Sequence, residues 1–257
     1  MRLLPSTLLI LLLAGAWPAT AGTWQFVTED FPPFSYPAAD SGPGAAVGAG
    51  PLAEVVRSVC ARLGQRCPIT VRPWRRALAL AEAGQVDGIF TVIRSPRRER
   101  AFHLTRMLVS SRYGLYGLET NTFVYHQPRD LAGHRLGVYG PSGTSIVLDE
   151  RLAGVPDVRV EQVADNRRLL RMLAAGRFGR DGLAVINQDV AWQLIDALQL
   201  DNLREVGVLE PVAYGIGLSR RSVDKAAFER FAEALDAAIA DGTVPAILRR
   251  HQLEPAY

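Results

Sequence analysis

The sequence predicts an α/β protein whose mostly parallel sheets carry helices on both faces, built as one large domain or as two lobes. Three observations carry this. Short apolar strands alternate with amphipathic helical segments along nearly the whole chain, the grammar of repeated βα units. Gly or Pro stands at most of the predicted helix boundaries. Two apolar, Gly-containing strands, "RYGLYGLE" and "VAYGIGLS", lie about 100 residues apart and are placed to cross between lobes.

Taken in order, "TWQFVTE" alternates Trp24 and Phe26 with polar neighbours, as a half-buried strand does. "PAADSGPGAAVGAG", from Pro37, has the composition of an exposed loop. "PLAEVVRSVCARLG" sets Leu52, Val55, Val56, Val59, Cys60 and Leu63 on one helical face, with Gly64 as the stop. "ITV" is a short strand. Pro73 then opens the helix "WRRALALAEAG", which ends at Gly84. "VDGIFTVI" has the unbroken apolar character of a buried parallel strand. The pattern recurs in strand "RLGVYG", a helix after Gly143, strand "VRVEQV", helix "NRRLLRMLAAG", strand "GLAVIN" and helix "DVAWQLIDALQL". Near the end, "DKAAFERFAEALDAAIADG" is strongly amphipathic through Phe228, Phe231, Leu235 and Ile239.

The first 21 residues have one basic residue, Arg2, an apolar run from Leu8 to Ala14, and small residues Ala19 and Ala21 before a cleavage point. This is the pattern of a secretory signal peptide, cleaved near Ala21, and it places the mature chain in the periplasm. No Cys follows Ala21 to take a lipid anchor, and no later apolar run reaches about 18 residues, the length of a membrane span. Removal of residues 1–21 takes away Arg2 alone and leaves 28 basic against 26 acidic residues. A chain so nearly balanced lacks the basic surface that nucleic-acid binding needs. Its two cysteines, Cys60 and Cys67, are an isolated pair in an exported chain and are expected to form a disulfide.

The stretch "TVIRSPRRERAFHLT" holds Arg94, Arg97, Arg98 and Arg100 within seven positions. With a nucleic acid set aside, these guanidinium groups face either water or a small anion in a cleft. The order of motifs decides what to expect. "FPPFSY" follows the first strand, "GQVDGIF" precedes the Arg-rich turn, and "RERAFHLT" stands next. "DLAGHRLGVYGPSGTS", "MLAAGRFGRDGLAVI", "YGIGLSRRS" and a terminal "DGTVPAILRR" follow. In this order the chain resembles the family 3 extracellular solute-binding proteins, the periplasmic proteins that feed polar amino-acid ABC transporters. The resemblance covers nearly the whole mature chain. It implies the type II periplasmic-binding-protein fold, with two hinge strands joining a first lobe of residues 22–112 and 216–257 to a second lobe of residues 113–215.

The resemblance also implies site residues. Arg98 falls at the arginine that clasps the ligand carboxylate, and a planar guanidinium suits that task because it offers paired donors. Arg94, Arg97 and Arg100 are expected in water or paired with Glu99. "GPSGTS" opens a helix after a strand: Gly143 allows close approach and the Thr144 and Ser145 amides point at an anion, unless the turn is an ordinary helix cap. Phe31 stands at the aromatic wall of the site, or packs as a loop residue, while Phe34 belongs to the core. Glu29 and Asp30 are carboxylates placed to meet a ligand ammonium. Trp74 lines the cleft mouth or is buried against its helix. Where the family places an ammonium-binding Asp, "NQDVAW" aligns Gln188, and a shift of one residue restores Asp189.

The implied function is capture of a small carboxylate-bearing ligand, an amino acid or related compound, by closure of two lobes, followed by delivery to a membrane ABC permease. A monomer without metal or cofactor is expected. The four histidines are scattered and show neither metal nor triad spacing. Two alternatives stay open: a periplasmic enzyme on the same scaffold, similar to cyclohexadienyl dehydratase with Glu29 or Asp30 as base, and a stand-alone ligand sensor.

Overall fold

The computed structural model describes residues 22–40 and 46–257. The expected signal peptide lies outside the described residues, as does the middle of the stretch from Pro37. The two ends of that stretch are not plain loop: β2 (Tyr36–Pro37) and β3 (Gly48–Ala49) pair antiparallel, and Gly48 is buried against Ile69.

A first sheet runs β4 (Ile69–Val71), β1 (Phe26–Thr28), β5 (Gly88–Val92), then the C-terminal end of β11 (Leu203–Ser219), with β6 (Phe102–Leu104) on its far side. The second sheet runs β11, β7 (Val109–Leu118), β10 (Leu183–Asn187), β8 (Arg135–Tyr139) and β9 (Arg159–Val163). Both predicted Gly-containing strands are present, as β7 and part of β11. They pair antiparallel from Leu203↔Leu118 to Tyr214↔Val109. At Gly215 strand β11 passes to β5, so one continuous strand belongs to both sheets. The expected parallel setting of "GIFTV" holds on its β1 side only, because its other neighbour is the returning β11.

The helices cover these sheets as the periodicity requires. Helix α1 (Pro51–Arg62) buries Leu52, Val55, Val56 and Val59, and packs on α7 (Lys225–Ala240), which buries Phe231 and Leu235. Cys60, in the last turn of α1, is joined to Cys67 beyond the end of the helix. Helix α2 (Trp74–Glu82) precedes β5. Helices α4 (Gly143–Arg151), α5 (Asn166–Ala174) and α6 (Gln188–Leu198) follow β8, β9 and β10. Gly242, in the left-handed region at φ 86°, ends α7 and starts a separate α8 (Thr243–Arg250). The Arg-rich segment is itself a helix, α3 (Pro96–Ala101). Ser95 caps it by accepting from the Arg98 amide, and Pro96 is its first residue. Among the described residues no helix is long and apolar enough to cross a membrane.

Candidate functional site

The site is built from the C-terminal ends of strands on both sides of the hinge, the edge at which open α/β sheets take ligands. From the first lobe come Glu29 after β1, Thr91 and Ile93 at the end of β5, Trp74 at the start of α2, and Arg98 on α3. From the second come Tyr139 at the end of β8 and the turn Ser142–Gly143–Thr144. Tyr113 of β7 and Tyr214 of β11 form the floor. Together they enclose an inner cavity of about 20 Å³, room for about one water. Glu29, Trp74 and Tyr139 also line an outer chamber of about 430 Å³, which opens between the lobes beside Arg72, Asp165, Asn166 and Arg167.

Arg98 is 3% exposed, with its Nη1 donating to Glu82 Oε1 at 3.0 Å and its guanidinium carbon 5.8 Å from the Trp74 ring. Burial lowers its pKa, and the neighbouring Glu82 carboxylate opposes that shift. Arg94, Arg97 and Arg100 are exposed, and Arg94 pairs with Glu99 at 2.6 Å. Within seven positions one buried cation thus stands among three exposed ones.

Thr91 has φ +64°, a conformation that a β-branched residue rarely adopts. The pairing explains it: Gly215 pairs with Val92 and Ile216 with Phe90, so Thr91 is the extra residue of a β-bulge. The bulge turns the end of β5 and leaves Thr91 buried at the cavity wall.

The turn before α4 corrects one expectation. Ser142 Oγ accepts from the amides of Thr144 at 3.1 Å and Ser145 at 3.4 Å, and Ser145 Oγ bonds back to Ser142. Those two amides serve a capping box rather than pointing at an anion, because the N-cap side chain reaches them first. Ser145 does not line the cavity; Gly143 and Thr144 do. A β-carbon on Gly143 would stand 2.9 Å from Tyr113 Oη and 3.0 Å from Ile93 Cδ1. The lobes therefore meet closely at Gly143 and Ile93, and a larger residue would require its neighbours to shift. The Thr144 hydroxyl is bonded to Tyr113, which is also bonded to Tyr214. Asn187 Nδ2 donates to Tyr214 Oη at 3.0 Å. Burial pushes Tyr113 up to about 12, so these phenols stay protonated.

Gln188 and Asp189 require a second correction: neither lines the inner cavity or the outer chamber. Asn187 caps α6 by accepting from the Val190 amide, and the first helical turn carries the next two side chains back against the hinge. There Gln188 accepts from Arg112 Nε and donates to Glu205 at 2.7 Å, while Asp189 accepts from Ser111.

Phe31 lines the inner cavity, edge-on to Tyr214 with centroids 5.7 Å apart, and Phe34 is buried behind it. Trp74 is both buried and cavity-lining, so the two readings of it are the same position. Asp30 lies at the rim, 3.4 Å from Arg167 of the second lobe. Glu29, by contrast, is buried, and the Tyr139 hydroxyl donates to its carboxyl across the cleft. Burial raises the Glu29 pKa to about 8 against the lowering effect of the Tyr139 bond, with Asp30 adding to the rise. Sequence reasoning missed Thr91, Tyr113, Tyr139, Asn166 and Tyr214. Of these only Tyr139 had a usable signal, as the last strand residue before "GPSGTS". Among the described residues no group of His, Cys, Asp and Glu is set to hold a metal ion.

A hinged pair of α/β lobes with polar groups converging on the gap defines a two-lobed ligand-binding protein. The sequence profile of the bacterial extracellular solute-binding proteins, family 3, matches residues 26–254, and the chain belongs to that family. Membership implies a periplasmic location. Three solved structures show the same fold. A histidine kinase sensor domain with similarity to periplasmic binding proteins has a TM-score of 0.80 at 20% identity, over 91% of this chain and 98% of its own. An ancestral arginine-binding protein bound to arginine has 0.76 at 18%, over 89% and 97%. An amino acid ABC transporter substrate-binding protein from Streptococcus pneumoniae, bound to L-arginine, has 0.73 at 16%, over 90% and 94%. Among curated proteins no sequence match is found.

Proposed function

We propose that the protein captures a small carboxylate-bearing solute, an amino acid or a related compound, between its lobes and delivers it to a membrane ABC permease. The observation that carries this reading is Arg98. A guanidinium 3% exposed lines a cavity whose opposite wall is Gly143 and Thr144 of the other lobe. Glu82 engages it through Nη1, and the guanidinium has further N–H donors for a carboxylate. A ligand held by both walls stabilises closure because it touches both only when they meet. The inner cavity is too small for an amino acid, so entry proceeds through an open form, and the bound ligand extends toward the outer chamber.

The test is isothermal titration calorimetry of the mature chain against the common amino acids and small carboxylates, repeated with Arg98→Ala. Heat that disappears in the variant supports the reading, and silence across the panel sinks it. A sensor role is the second reading, favoured by the likeness to a histidine kinase sensor domain. Reconstitution with a candidate permease separates the two, since only a transport component stimulates its ATPase when loaded. The ligand is released unchanged in either reading. The enzyme alternative has its acid or base candidate in Glu29, and turnover of a cyclohexadienyl acid would overturn binding as the whole function.

A further inference from the structure

We propose that two copies of this chain pair edge to edge through β9, antiparallel about Val160, and so join their second sheets into a two-fold dimer. The inference is independent of which ligand the cleft takes. It replaces the expected monomer with a monomer–dimer equilibrium.

Strand β9 is the last of the second sheet, bonded to β8 on one side and to no strand on the other. Its parallel ladder with β8 is fixed at both ends. The Arg159 amide donates to the His134 carbonyl at 3.0 Å, and the Val163 carbonyl accepts from the Gly140 amide at 3.0 Å. Backbone groups alternate in direction along a strand, so those of Arg159, Glu161 and Val163 face β8, while those of Val160 and Gln162 face outward. Arg159, Val160 and Gln162 are exposed. Such an edge offers a row of unused donors and acceptors. Beside it Arg135, Arg159, Val160 and Glu161 line an open surface hollow of about 410 Å³, which leaves space for the side chains of a second copy.

The order Arg159–Val160–Glu161 selects the partner. Antiparallel pairing about Val160 sets this residue opposite its counterpart, where the two outward amides and carbonyls exchange bonds. It also sets each Arg159 opposite Glu161 of the second copy, on one face of the joined sheet. Moving the centre by one residue opposes Arg159 to Arg159 or Glu161 to Glu161, and parallel pairing in register opposes both. One register therefore satisfies the charges and its neighbours do not. Within the monomer the balance is incomplete. Arg159 stands directly opposite Arg135 in the ladder, and Glu161 pairs with Arg135 at 2.7 Å. Among the described residues the Arg159 side chain has no ion pair. In the dimer, charge alternates across the junction from Arg135 to Glu161 to Arg159 of the second copy.

Charged residues on a sheet edge commonly guard against pairing, but here the two signs are spaced so that self-pairing satisfies them. Exposed ion pairs add little strength, so these set register and direction while the backbone bonds and the valine pair hold the contact. One five-residue strand per copy covers well under the roughly 1,200–2,000 Å² of a stable interface. The dimer is accordingly weak and dissociates on dilution.

The experiment is sedimentation equilibrium of the mature chain from about 1 µM to about 1 mM, the range in which a weak dimer is read. A reversible monomer–dimer equilibrium is expected. Val160→Pro removes the central donor where no bond to β8 is lost, so it is expected to keep the parent melting temperature and to weaken association at least about tenfold. Arg159→Glu and Glu161→Arg each oppose like charges twice and are each expected to weaken it about tenfold. The two changes together restore both opposite-charge pairs and are expected to return the affinity to within about threefold of the parent, which separate structural damage at either site would not do. If Val160→Pro fails to fold, the charge exchange decides alone. A chain that stays monomeric throughout, a dimer indifferent to these variants, or single reversals that the double exchange does not rescue would each overturn the proposal.

Discussion

Arg98 Nη1 lies 3.0 Å from Glu82 Oε1, joining the helix that follows β5 to the end of the helix that precedes it. The pair sets how the cleft's cation is held: Glu82 is part-exposed, and Arg98 is nearly sealed against Trp74. Arg98→Ala is expected to weaken carboxylate-ligand binding by roughly 10- to 100-fold, the equivalent of about 1.5–3 kcal/mol for a charge-assisted bond. Arg98→Lys keeps the charge but loses the planar fork, and is expected to recover only part of the loss. Equal affinities in all three proteins would show that the guanidinium does not hold the ligand.

The Glu29 carboxyl makes stability fall as pH rises. Its folded pKa is raised from 4.5 to about 8, so between these values the folded form keeps a proton that the unfolded form has lost. Stability from this group is complete below about 4.5 and declines as pH passes through 8, by up to about 1.4 kcal/mol per unit. Thermal melts of the ligand-free protein from pH 5 to 8.5 are expected to show the decline, and Glu29→Gln to flatten it. A Glu29→Gln protein with the same pH slope as the parent would contradict the assignment.

Gly143→Ala separates closure from folding. The new methyl group would sit 3.0 Å from Ile93 Cδ1 of the first lobe, a contact made only when the lobes meet, and 2.9 Å from the terminal hydroxyl of Tyr113 in its own lobe. The expected outcome is at least a tenfold loss of ligand affinity with little change in the melting temperature of the ligand-free chain. Small-angle scattering should show the variant failing to contract when ligand is added.

Thr91→Gly tests the bulge. A β-branched residue at φ +64° carries strain of about 1–2 kcal/mol, while glycine loses about 0.5–1 kcal/mol in backbone entropy. The substitution is expected to leave folding stability within about 1 kcal/mol of the parent, on the favourable side, while changing ligand affinity because Thr91 lines the cavity. A large loss of stability by denaturant titration would mean that the threonine side chain, not the backbone turn, is what the position requires.

Breaking the Cys60–Cys67 bond, by reduction or by Ser at both positions, frees a short loop in the unfolded chain. The expected loss is about 2–3 kcal/mol, a drop of several degrees in melting temperature, with ligand affinity unchanged since the bond lies outside both cavities. A change in affinity without a change in stability would go against a purely structural bond.

Local physics explains what was readable beforehand. The faces of α1 and α7 were legible because apolar spacing at helical period must be buried, and it is. The strand character of β7 and the end of β11 was legible as apolar, Gly-containing runs, and those runs are buried. Helix α3 carried its signals openly, Ser95 then Pro96, but the density of arginines after them reads as a turn. Residues Gln188 and Asp189 were misplaced because motif alignment fixes a position along the chain and not the direction of a side chain. The cap at Asn187 starts the helix one residue earlier, and that rotates both toward the hinge.

By itself the sequence determined the alternation of strands and helices and the pairing of its two cysteines, and family motif order singled out Arg98, the arginine of its cluster that the fold buries. All of these depend on local periodicity, composition or order along the chain. Tertiary structure alone decided that Glu29 meets Tyr139, 110 positions away, that Thr91 is forced into a bulge, and that Asn166 and Trp74 share one chamber. Those relations are made by folding β11 back between the sheets and closing one lobe on the other. No spacing within a single segment encodes the distance between groups on separate walls of a cleft.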